Sequence, residues 1–328
     1  MYDVASVTKV TATLPLMMKE VSEGKMSLSQ RLEEIDADAR NTNKARLSLK
    51  EVLAHQAGLA PWIGFYKETV NVQNARLYLD FYSRKQDEEH QIKVTDNIYI
   101  INTIKDSIFD DIYNSKLGPK KYEYSDLGYY IFQKYFEKKY QQPLDELVDE
   151  AFYKKMGMYR TTYNPKNHFS LDEIVPTAWD KTYRNQLVHG FVHDQGAAMM
   201  GGVAGHAGLF STANDMAKIG QLFLNKGQYG GHQFIRPEVV DEFTKQQFSG
   251  NRRAAGFDRP ERTAKIGPSD ESYGHKGFTG TMIWVDPKYN VVYVFLSNRV
   301  NISVENNLLS SKKVRENILD IIYEAIIP

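Results

Sequence analysis

The chain contains no cysteine among its 328 residues. That absence excludes disulfide bonds, thiolate zinc sites and a cysteine nucleophile, but it leaves the cellular compartment open. An excess of charge is also lacking, because 41 Lys and Arg residues balance 41 Asp and Glu residues. Without a net positive field, binding to nucleic acid or to an anionic membrane surface is not expected.

Long apolar runs and a leader segment are lacking as well. No apolar stretch approaches the roughly 20 residues that span a bilayer, and residues 1–20 lack the charged-then-apolar order of a signal peptide. Hydrophobic residues make up 42% of the chain and aromatic residues 12%, which is enough to bury a large core. We therefore expect a globular protein without a membrane span, folded as one large domain or two lobes.

The apolar pattern at the start of the chain predicts a helix. Apolar residues from Val4 to Glu23 follow helical spacing, and Gly24 stands where a C-terminal cap belongs. Pro15 falls past the first turn, so it should kink the helix or remove a hydrogen bond near Thr11. A helix that begins near Ser6 also points backbone N–H groups at the Ser6 hydroxyl, which favours an anionic form or adduct there.

The rest of the chain combines further helices with strands near its end. Ser48 and Glu51 form a capping box, and residues 61–121 indicate a helical and looped insertion. Turn-forming residues at 286–290 separate two apolar runs, which predicts a hairpin. Helices are predicted for 49–55, 126–140, 211–225 (capped by Ser211) and 311–327, and strands for 281–285 and 291–297. The last helix has an apolar stripe of Val314, Ile318, Ile321, Ile322 and Ala325.

The order of these elements predicts the fold class. Helices first, then strands flanked by helices, favour an α+β arrangement. We predict that residues 1–328 form a single domain, with a mainly helical lobe over about 6–200 and a sheet-containing lobe over about 201–328.

The tetrapeptide Ser6-Val7-Thr8-Lys9 is the first candidate for chemistry. A serine and a lysine three residues apart on a helix share a face, so the Lys9 nitrogen can reach the Ser6 hydroxyl. Such a contact can turn an inert alcohol into a nucleophile. Taken alone, the pattern arises by chance in many chains and better fits an N-capping serine followed by a solvated lysine.

Two later polar clusters have the character of active-site loops. Tyr124-Ser125-Asp126 places a phenol just before a capped helix start. His275-Lys276-Gly277-Phe278-Thr279-Gly280 precedes the predicted hairpin, where small residues would let a substrate lie against a strand edge. Together with Ser6 and Lys9, these clusters are the candidate site.

Other polar features have simpler interpretations. The glycine-rich stretch 201–208 lacks the Lys-Ser/Thr ending of a phosphate loop, so a turn or tight packing is favoured over phosphate binding. His189, His193 and Asp194 could be drawn as metal ligands, but the glycine after His189 and the weak helical pattern argue against a metal site. No metal and no other cofactor is predicted.

The order Ser-x-x-Lys, Tyr-Ser-Asp and His-Lys-Gly resembles the three motifs of the serine β-lactamase and penicillin-binding-protein superfamily. The usual forms there are Ser-x-x-Lys, Tyr-x-Asn and Lys/His-Thr-Gly. Stretches at 54–59, 156–158, 192–194 and 201–212 resemble the class C-like branch, which includes esterases, and the match covers nearly the whole chain. The run 124–129 and the glycine-rich stretch 201–208 resemble hydrolase domains that some bacteria fuse behind family 3 glycoside hydrolases, which act on N-acetylglucosamine linkages.

The resemblance implies a β-lactamase/transpeptidase-like fold and a role for each matching residue. Ser6 would attack a carbonyl to form an acyl-enzyme, and Lys9 and Tyr124 would take and return the proton. A positive neighbour lowers the pKa of a tyrosine, so phenolate character on Tyr124 is plausible. The backbone N–H groups of Ser6 and Phe278 would form the oxyanion hole, and His275 would lie beside the substrate carboxylate or Tyr124. Residues expected at the substrate are Asp126, Lys276, Gly277 and Phe278, whereas His55 and His206 are expected to brace loops.

Two departures from the usual motifs concern the substrate. Asp126 stands where Asn is usual, so an amide donor is replaced by an acceptor that would repel a carboxylate. Lys276 stands where Thr is usual, which removes a small hydroxyl and adds a long cation. Both changes weaken the case for β-lactam hydrolysis more than the case for an ester or peptide substrate.

A third departure concerns the start of the chain. Members of the superfamily normally enter the Ser-x-x-Lys helix after a helix and two sheet strands, whereas Met1 lies five residues before Ser6. We therefore expect those strands to be absent and a sheet edge near the final helix to be exposed or differently paired. An excised piece of a larger cell-wall-processing polypeptide would fit this pattern. Covalent fusion to, or packing on, a glycoside hydrolase is the partner expected from it, and a periplasmic or cell-envelope location is suspected.

The predicted function is a serine hydrolase that forms an acyl-enzyme at Ser6 with a peptide, amide or ester, of β-lactamase, D,D-peptidase or esterase type. The expected partner is therefore a small-molecule or peptide substrate, with no nucleic acid. The alternative is a weakly active or inactive module that binds muropeptide or packs on a glycosidase, which Asp126, Lys276 and the missing strands favour.

Overall fold

The computed structural model describes residues 1–261 and 267–327. The helices are α1 (Leu14–Ser22), α2 (Leu32–Ile35), α3 (Leu49–Leu53), α4 (Ile104–Asn114), α5 (Leu127–Tyr140), α6 (Leu144–Val148), α7 (Lys154–Met156), α8 (Gln195–Met199), α9 (Ala213–Leu224), α10 (Pro237–Thr244), α11 (Leu308–Ser311) and α12 (Val314–Ile326). Tighter 3₁₀ turns lie at Ala5–Val7, Ala37–Ala39, Phe65–Glu68, Pro165–Asn167 and Leu171–Glu173, and wider π-helical turns at Lys9–Thr13 and Asp149–Tyr153.

The strands are β1 (Tyr2–Asp3), β2 (Val70–Asn71), β3 (Arg76–Leu77), β4 (Tyr82–Ser83), β5 (Ile92–Thr95), β6 (Ile98–Ile100), β7 (Thr162–Tyr163), β8 (Ala178–Asp180), β9 (Gln186–Val188), β10 (Leu209–Ser211), β11 (Gln228–Tyr229), β12 (His232–Gln233), β13 (Tyr273–Lys276), β14 (Met282–Asp286) and β15 (Val291–Phe295). They pair antiparallel as β1-β10-β7, β4-β6-β5, β13-β14-β15, β2-β3, β8-β9 and β11-β12. The α+β class predicted from the sequence is therefore confirmed.

The sheet β13-β14-β15 carries the third candidate motif. Trp284 of β14 pairs with Gly274 on one side and with Tyr293 on the other. β14 is buried along its whole length, because α9 packs on one face of the sheet and α12 on the other. The approach of α9 is so close that a Cβ atom on Gly220 would lie 2.4 Å from the Val292 side chain.

One edge of this sheet is open. Within residues 1–261 and 267–327, β15 has a strand partner only in β14, whereas β13 also forms a bridge through Gly274 to Asp258. An open edge next to the final helix agrees with the expectation from the sequence. The absence of the strands that usually precede the Ser-x-x-Lys helix stays a prediction.

The hydrophobic core runs across both predicted lobes. A single cluster of buried side chains extends from Val4 to Val285, and a smaller one joins α12 to the outer face of β14 and β15. β10, at 209–211, pairs with β1 and β7, so strand pairing also crosses residue 200. The division into lobes near residue 200 stays a prediction.

The N-terminal helical segment accommodates Pro15 as the sequence predicts. Residues 9–13 form a wide π-helical turn just before α1, where Pro15 removes an N–H donor from the helix. Pro15 cannot donate to the carbonyl of Thr11, and the Tyr153 hydroxyl donates to that carbonyl instead, at 2.9 Å. Because Tyr153 is only 1% exposed, this bond replaces the lost backbone bond inside the core.

Replacing Tyr153 with phenylalanine should leave the Thr11 carbonyl buried without a donor. We expect the free energy of unfolding to fall by about 1–3 kcal/mol, the usual cost of an unsatisfied buried acceptor. Tyr159 provides the control, because it is 77% exposed and its change to phenylalanine should have little effect. Urea unfolding of both variants measures the difference, and equal midpoints would contradict the assignment.

Several predicted elements differ from the structure. Residues 61–121 hold strands β2 to β6 as well as α4, so the expectation of a helical and looped insertion was wrong about the strands. The segment before the predicted hairpin is itself a strand, β13, because it pairs with β14. Ser211 lies in β10, and Thr212 caps α9 by accepting from the Asp215 N–H at 3.3 Å.

The C-terminal helix presents a different face from the predicted stripe. Lys313, with φ of 48°, breaks the segment into α11 and α12. The buried residues of α12 are Arg315, Leu319 and Tyr323, whereas Ile321 is 64% exposed. The Tyr323 hydroxyl donates to Asp286 at 2.7 Å, so packing against β14 decides which face turns inward. Within the described ranges, no helix is long and apolar enough to cross a bilayer.

Candidate active site

Ser6 lies in a tight turn between β1 and the helical segment. Ala5, just before it, has φ of 48°, a left-handed conformation that is strained for a residue with a side chain. The Asp3 carboxylate holds this turn by accepting from the Ala5 N–H at 2.9 Å and from the His193 N–H at 2.8 Å. Burial raises the pKa of Asp3 to about 6. The turn is therefore fixed by contacts with distant parts of the chain.

The third motif packs directly against this turn. Thr279 donates to the Asp3 carbonyl at 2.7 Å, and Thr281 donates to the Val4 carbonyl at 2.9 Å. Gly277 lies so close that a Cβ atom there would be 2.5 Å from the Val4 carbonyl oxygen and 2.2 Å from Thr281 Oγ1. Glycine is thus required at 277 for β13 to meet the turn that carries Ser6.

Lys9 is the centre of the polar cluster. Its ammonium donates to Ser6 Oγ at 3.1 Å and to the His206 carbonyl at 3.1 Å, and it lies 2.6 Å from Oδ1 of Asp126. Burial alone would lower the pKa of Lys9, but the Asp126 carboxylate and Tyr124 together raise it above its usual value. Lys9 is therefore a cation at neutral pH.

Tyr124 is the second candidate proton carrier. The Lys9 nitrogen lies 5.3 Å from the centre of its ring. Burial raises the pKa of Tyr124 above its usual value, and Lys9 opposes that rise without cancelling it, while Asp126 adds to it. The expectation of phenolate character in the resting site was wrong, because burial outweighs the positive neighbour.

Asp126 has a partner that the sequence did not predict, and its predicted contact with the substrate stays a prediction. Its carboxylate pairs with Lys9, whose side chain is 0% exposed, while its own side chain is 15% exposed. Its backbone N–H donates to the Pro61 carbonyl at 3.1 Å, and Ser125 Oγ accepts from the Leu127 N–H at 3.2 Å where α5 begins. Asp126 thus forms an ion pair at the base of the site, in addition to any contact with a substrate.

His275 lies beside Tyr124, with ring centres 6.0 Å apart. Its Nδ1 lies 2.8 Å from the Lys276 carbonyl oxygen, so Nδ1 is the donor and the buried Nε2 is left as an acceptor. Burial, together with the positive charges of Arg253 and Lys9, holds the pKa of His275 well below its usual value. His275 is therefore a neutral imidazole.

Lys276 and Phe278, which follow His275 in the third motif, have different surroundings. The Lys276 ammonium pairs with Glu316 of α12, so the structure does not bring it to the Ser6 cluster. The Phe278 ring is 50% exposed and stacks on His193 at 5.4 Å between centres. Arg299 also lies over this ring, at 4.8 Å.

The structure adds polar residues that the motifs did not assign to the site. The His55 ring packs against the Tyr124 ring at a tilt of 39°, with ring centres 4.4 Å apart, and its Nδ1 accepts from the Ser125 N–H at 3.1 Å. Arg253 also lies over the Tyr124 ring, at 5.8 Å. His55 was expected to brace a loop, which it does, but nothing near Arg253 in the sequence resembles a motif. Only the Arg252-Arg253 pair in a segment without periodicity could have drawn attention to it.

The residues that could have been drawn as metal ligands have other partners. His189 Nε2 contacts the backbone carbonyls of Leu171 and Ile174, and Asp194 Oδ1 lies 2.9 Å from Nε2 of His206. In the parts of the chain that the structure describes, no group of three or more His, Asp or Glu side chains could hold a metal ion.

The chain is similar to known proteins both in sequence and in fold. Over 324 residues the chain is 30% identical to an N-acetylmuramyl-L-alanine amidase of Bacillus subtilis, covering 91% of this chain and 68% of that protein. It is also 30% identical over 324 residues to a putative D-alanyl-D-alanine carboxypeptidase of Escherichia coli, with 91% and 69% covered. A simvastatin synthase from Aspergillus terreus superposes with a TM-score of 0.67 at 12% identity, covering 99% of this chain and 80% of the other.

The fold is that of the β-lactamases and transpeptidases. The sequence profile of the Beta-lactamase family matches residues 1–309, and the chain belongs to that family. The family and the names of the relatives support a hydrolase of the β-lactamase-related type. A fused glycoside hydrolase stays a prediction.

Proposed function

We propose that the protein is a serine hydrolase that forms an acyl-enzyme at Ser6 with a peptide, amide or ester substrate related to cell-wall peptides. The observation that carries the proposal is the 3.1 Å contact between Ser6 Oγ and the buried Lys9 ammonium, which Asp126 holds in place. The names of the amidase and carboxypeptidase relatives support a cell-wall peptide as the substrate class.

The protonation states suggest how Ser6 is activated. Lys9 carries a proton and Tyr124 is neutral in the resting site, so neither accepts a proton there. Loss of one proton from the cluster gives a Tyr124 phenolate beside the Lys9 ammonium. The phenolate then takes the Ser6 proton as the bond from Oγ to the carbonyl carbon forms, and returns it to the leaving group.

The remaining residues would stabilise the negative charge that develops on the carbonyl oxygen. We assign this role to the backbone N–H groups of Ser6 and Phe278, where loss of one donor typically costs about 100- to 1000-fold in rate. Gly277 would help to hold these two N–H groups near each other, because the chain at 277 meets the Ser6 turn only without a side chain there. Asp126 and the exposed Phe278 ring would contact the substrate on either side of the reacting carbonyl.

Labelling with a fluorophosphonate tests the proposal. Intact-protein mass spectrometry should show one adduct, peptide mapping should place it on Ser6, and the Ser6→Ala variant should show none. The Ser29→Ala variant, which changes an exposed serine, should label like the wild type. A folded wild-type protein without an adduct would contradict the proposal and favour a module that only binds muropeptide. Rates with a chromogenic cephalosporin and with a p-nitrophenyl ester would then rank the substrates.

The Gly277→Ala variant should lower the labelling rate of Ser6 by roughly 100-fold, the usual effect of a displacement of about 1 Å at a reacting group. The added methyl group would overlap the Val4 carbonyl, so the Ser6 turn must shift. Gly118→Ala is the matched control, since the nearest described atom to its methyl group would be the Gly58 carbonyl oxygen, at an ordinary contact distance of 3.7 Å. Equal rates in the two variants would show that the contact at 277 does not position Ser6.

A further inference from the structure

Arg253 is a buried cation next to Tyr124 that the proposed mechanism does not yet use. Its side-chain carbon Cζ lies 5.8 Å from the centre of the Tyr124 ring, and the residue is 3% exposed. It belongs to the irregular segment between α10 and β13. Asn251 anchors that segment by accepting from the Arg253 N–H and donating to the Ala54 carbonyl, both at 3.0 Å. The backbone that carries the buried guanidinium is therefore anchored to the segment at Ala54.

The positive charge of Arg253 has a nearby counter-charge in Asp258, which it shares with Arg252. The carboxylate beside it, Asp258, lies 3.4 Å from Nη1, but Asp258 accepts two bonds from Arg252, at 2.9 and 3.0 Å. Nε and Nη2 of Arg253 are buried and have no hydrogen-bond partner in residues 1–261 and 267–327. A buried guanidinium with open donors costs stability, so its presence beside the candidate site calls for an explanation in function.

The other charges nearest the Tyr124 ring are Lys9, which lowers the pKa of Tyr124, and Asp126, which raises it. Lys9 is paired with Asp126 at 2.6 Å. Burial, with the charges of Arg253 and Lys9, holds the pKa of His55 well below its usual value, and the same causes hold the pKa of His275 low. Both imidazoles are neutral. The titratable or charged groups that face Tyr124 or Arg253 are Lys9, His55, Asp126, Tyr129, Arg252, Asp258 and His275.

We propose that Arg253 is a positioning residue whose fixed charge stabilises the Tyr124 phenolate that takes the Ser6 proton. Tyr124 loses its proton to solvent, the phenolate lies between the Lys9 ammonium and the Arg253 guanidinium, and it then accepts the Ser6 proton as the acyl bond forms. Asp126 opposes this ionisation and Arg253 favours it, so the two residues set the pH at which the site becomes active. The inference rests on the proposed acyl-enzyme chemistry at Ser6.

The test is the rate of Ser6 labelling by a fluorophosphonate, measured from pH 6 to pH 10. In the Arg253→Met variant the rising limb of the profile should move to higher pH by about one unit, with a roughly tenfold slower rate at neutral pH. Arg253→Lys, which keeps the charge in a different place, should fall between this variant and the wild type. Asp258→Asn removes the counter-charge that Arg253 shares with Arg252 and should move the limb to lower pH. Arg31→Met, an exposed arginine paired with Glu33, should leave the profile unchanged.

A double variant separates an electrostatic role from a structural one. In a Tyr124→Phe background, the further change Arg253→Met should have no additional effect on the labelling rate. An unchanged limb in Arg253→Met and in Asp258→Asn, or a full loss on top of Tyr124→Phe, would overturn the inference. If Arg253→Met does not fold, Asp258→Asn alone tests the inference, because its rising limb should move to lower pH. A wild-type protein that is not labelled at Ser6 removes the proposed function and this inference together, whereas labelling with unchanged limbs removes only the role of Arg253.

Discussion

Replacing Lys9 with methionine should lower the rate of Ser6 acylation by roughly a thousandfold or more and should also destabilise the protein. The change removes the donor that orients Ser6 Oγ and the cation beside Tyr124. It also leaves the Asp126 carboxylate without its partner in a site where Lys9 is fully buried. Breaking a buried ion pair from one side costs about 3–5 kcal/mol, so we expect an unfolding free energy lower by about 3 kcal/mol.

The double variant Lys9→Met with Asp126→Asn provides the control. Because it removes both charges, it should recover part of the lost stability while the acylation rate stays low. Urea unfolding and fluorophosphonate labelling, performed on the same samples, measure the two effects separately. A double variant no more stable than Lys9→Met would show that the ion pair does not hold Lys9, and a fast Lys9→Met enzyme would rule out its part in activating Ser6.

Replacing Asp126 with asparagine alone should move the pH profile and the substrate preference together. Asp126 raises the pKa of both Lys9 and Tyr124, so its loss should bring the rising limb of Ser6 labelling to lower pH. Removing a carboxylate beside the reacting centre should also relieve repulsion of a substrate carboxylate. A charge pair several ångströms apart at an effective dielectric constant near 20 is worth about 2 kcal/mol, so acylation by penicillin should rise roughly tenfold or more relative to a p-nitrophenyl ester.

The control for this variant is Asp38→Asn, which removes a carboxylate of an exposed pair with Lys134 and should change neither quantity. Labelling rates across pH and the ratio of the two substrate rates are the measurements. A limb that moves to higher pH would contradict the sign derived from the structure. An unchanged ratio would show that Asp126 is occupied by Lys9 and does not face the substrate.

Local patterns were enough to predict the elements that depend on neighbours in sequence. The break near Pro15 follows from a missing N–H donor, and the capping box of Ser48 and Glu51 forms as predicted, with Ser48 accepting from the Glu51 N–H at 3.2 Å. The buried face of α12 was predicted wrongly and the strands of 61–121 were not predicted, because both depend on contacts with other parts of the chain. α12 has isoleucines on several faces, and packing against β14 decides which of these faces is buried. The strands of 61–121 have two to four residues each, which is too few to show an alternating apolar pattern.

The sequence by itself determined the order of Ser6, Lys9, Tyr124, Asp126 and His275, and the structure brings these five together. The sequence could predict the site because helical spacing places Ser6 next to Lys9. The residue types of the three motifs also indicate their chemistry without any knowledge of the structure. Tertiary structure alone decided the protonation states. Burial of Tyr124 and His275, the 2.6 Å pairing of Lys9 with Asp126, and the approach of Arg253 come from segments more than a hundred residues apart. A pKa depends on burial and on nearby charges, and neither is written in the local sequence.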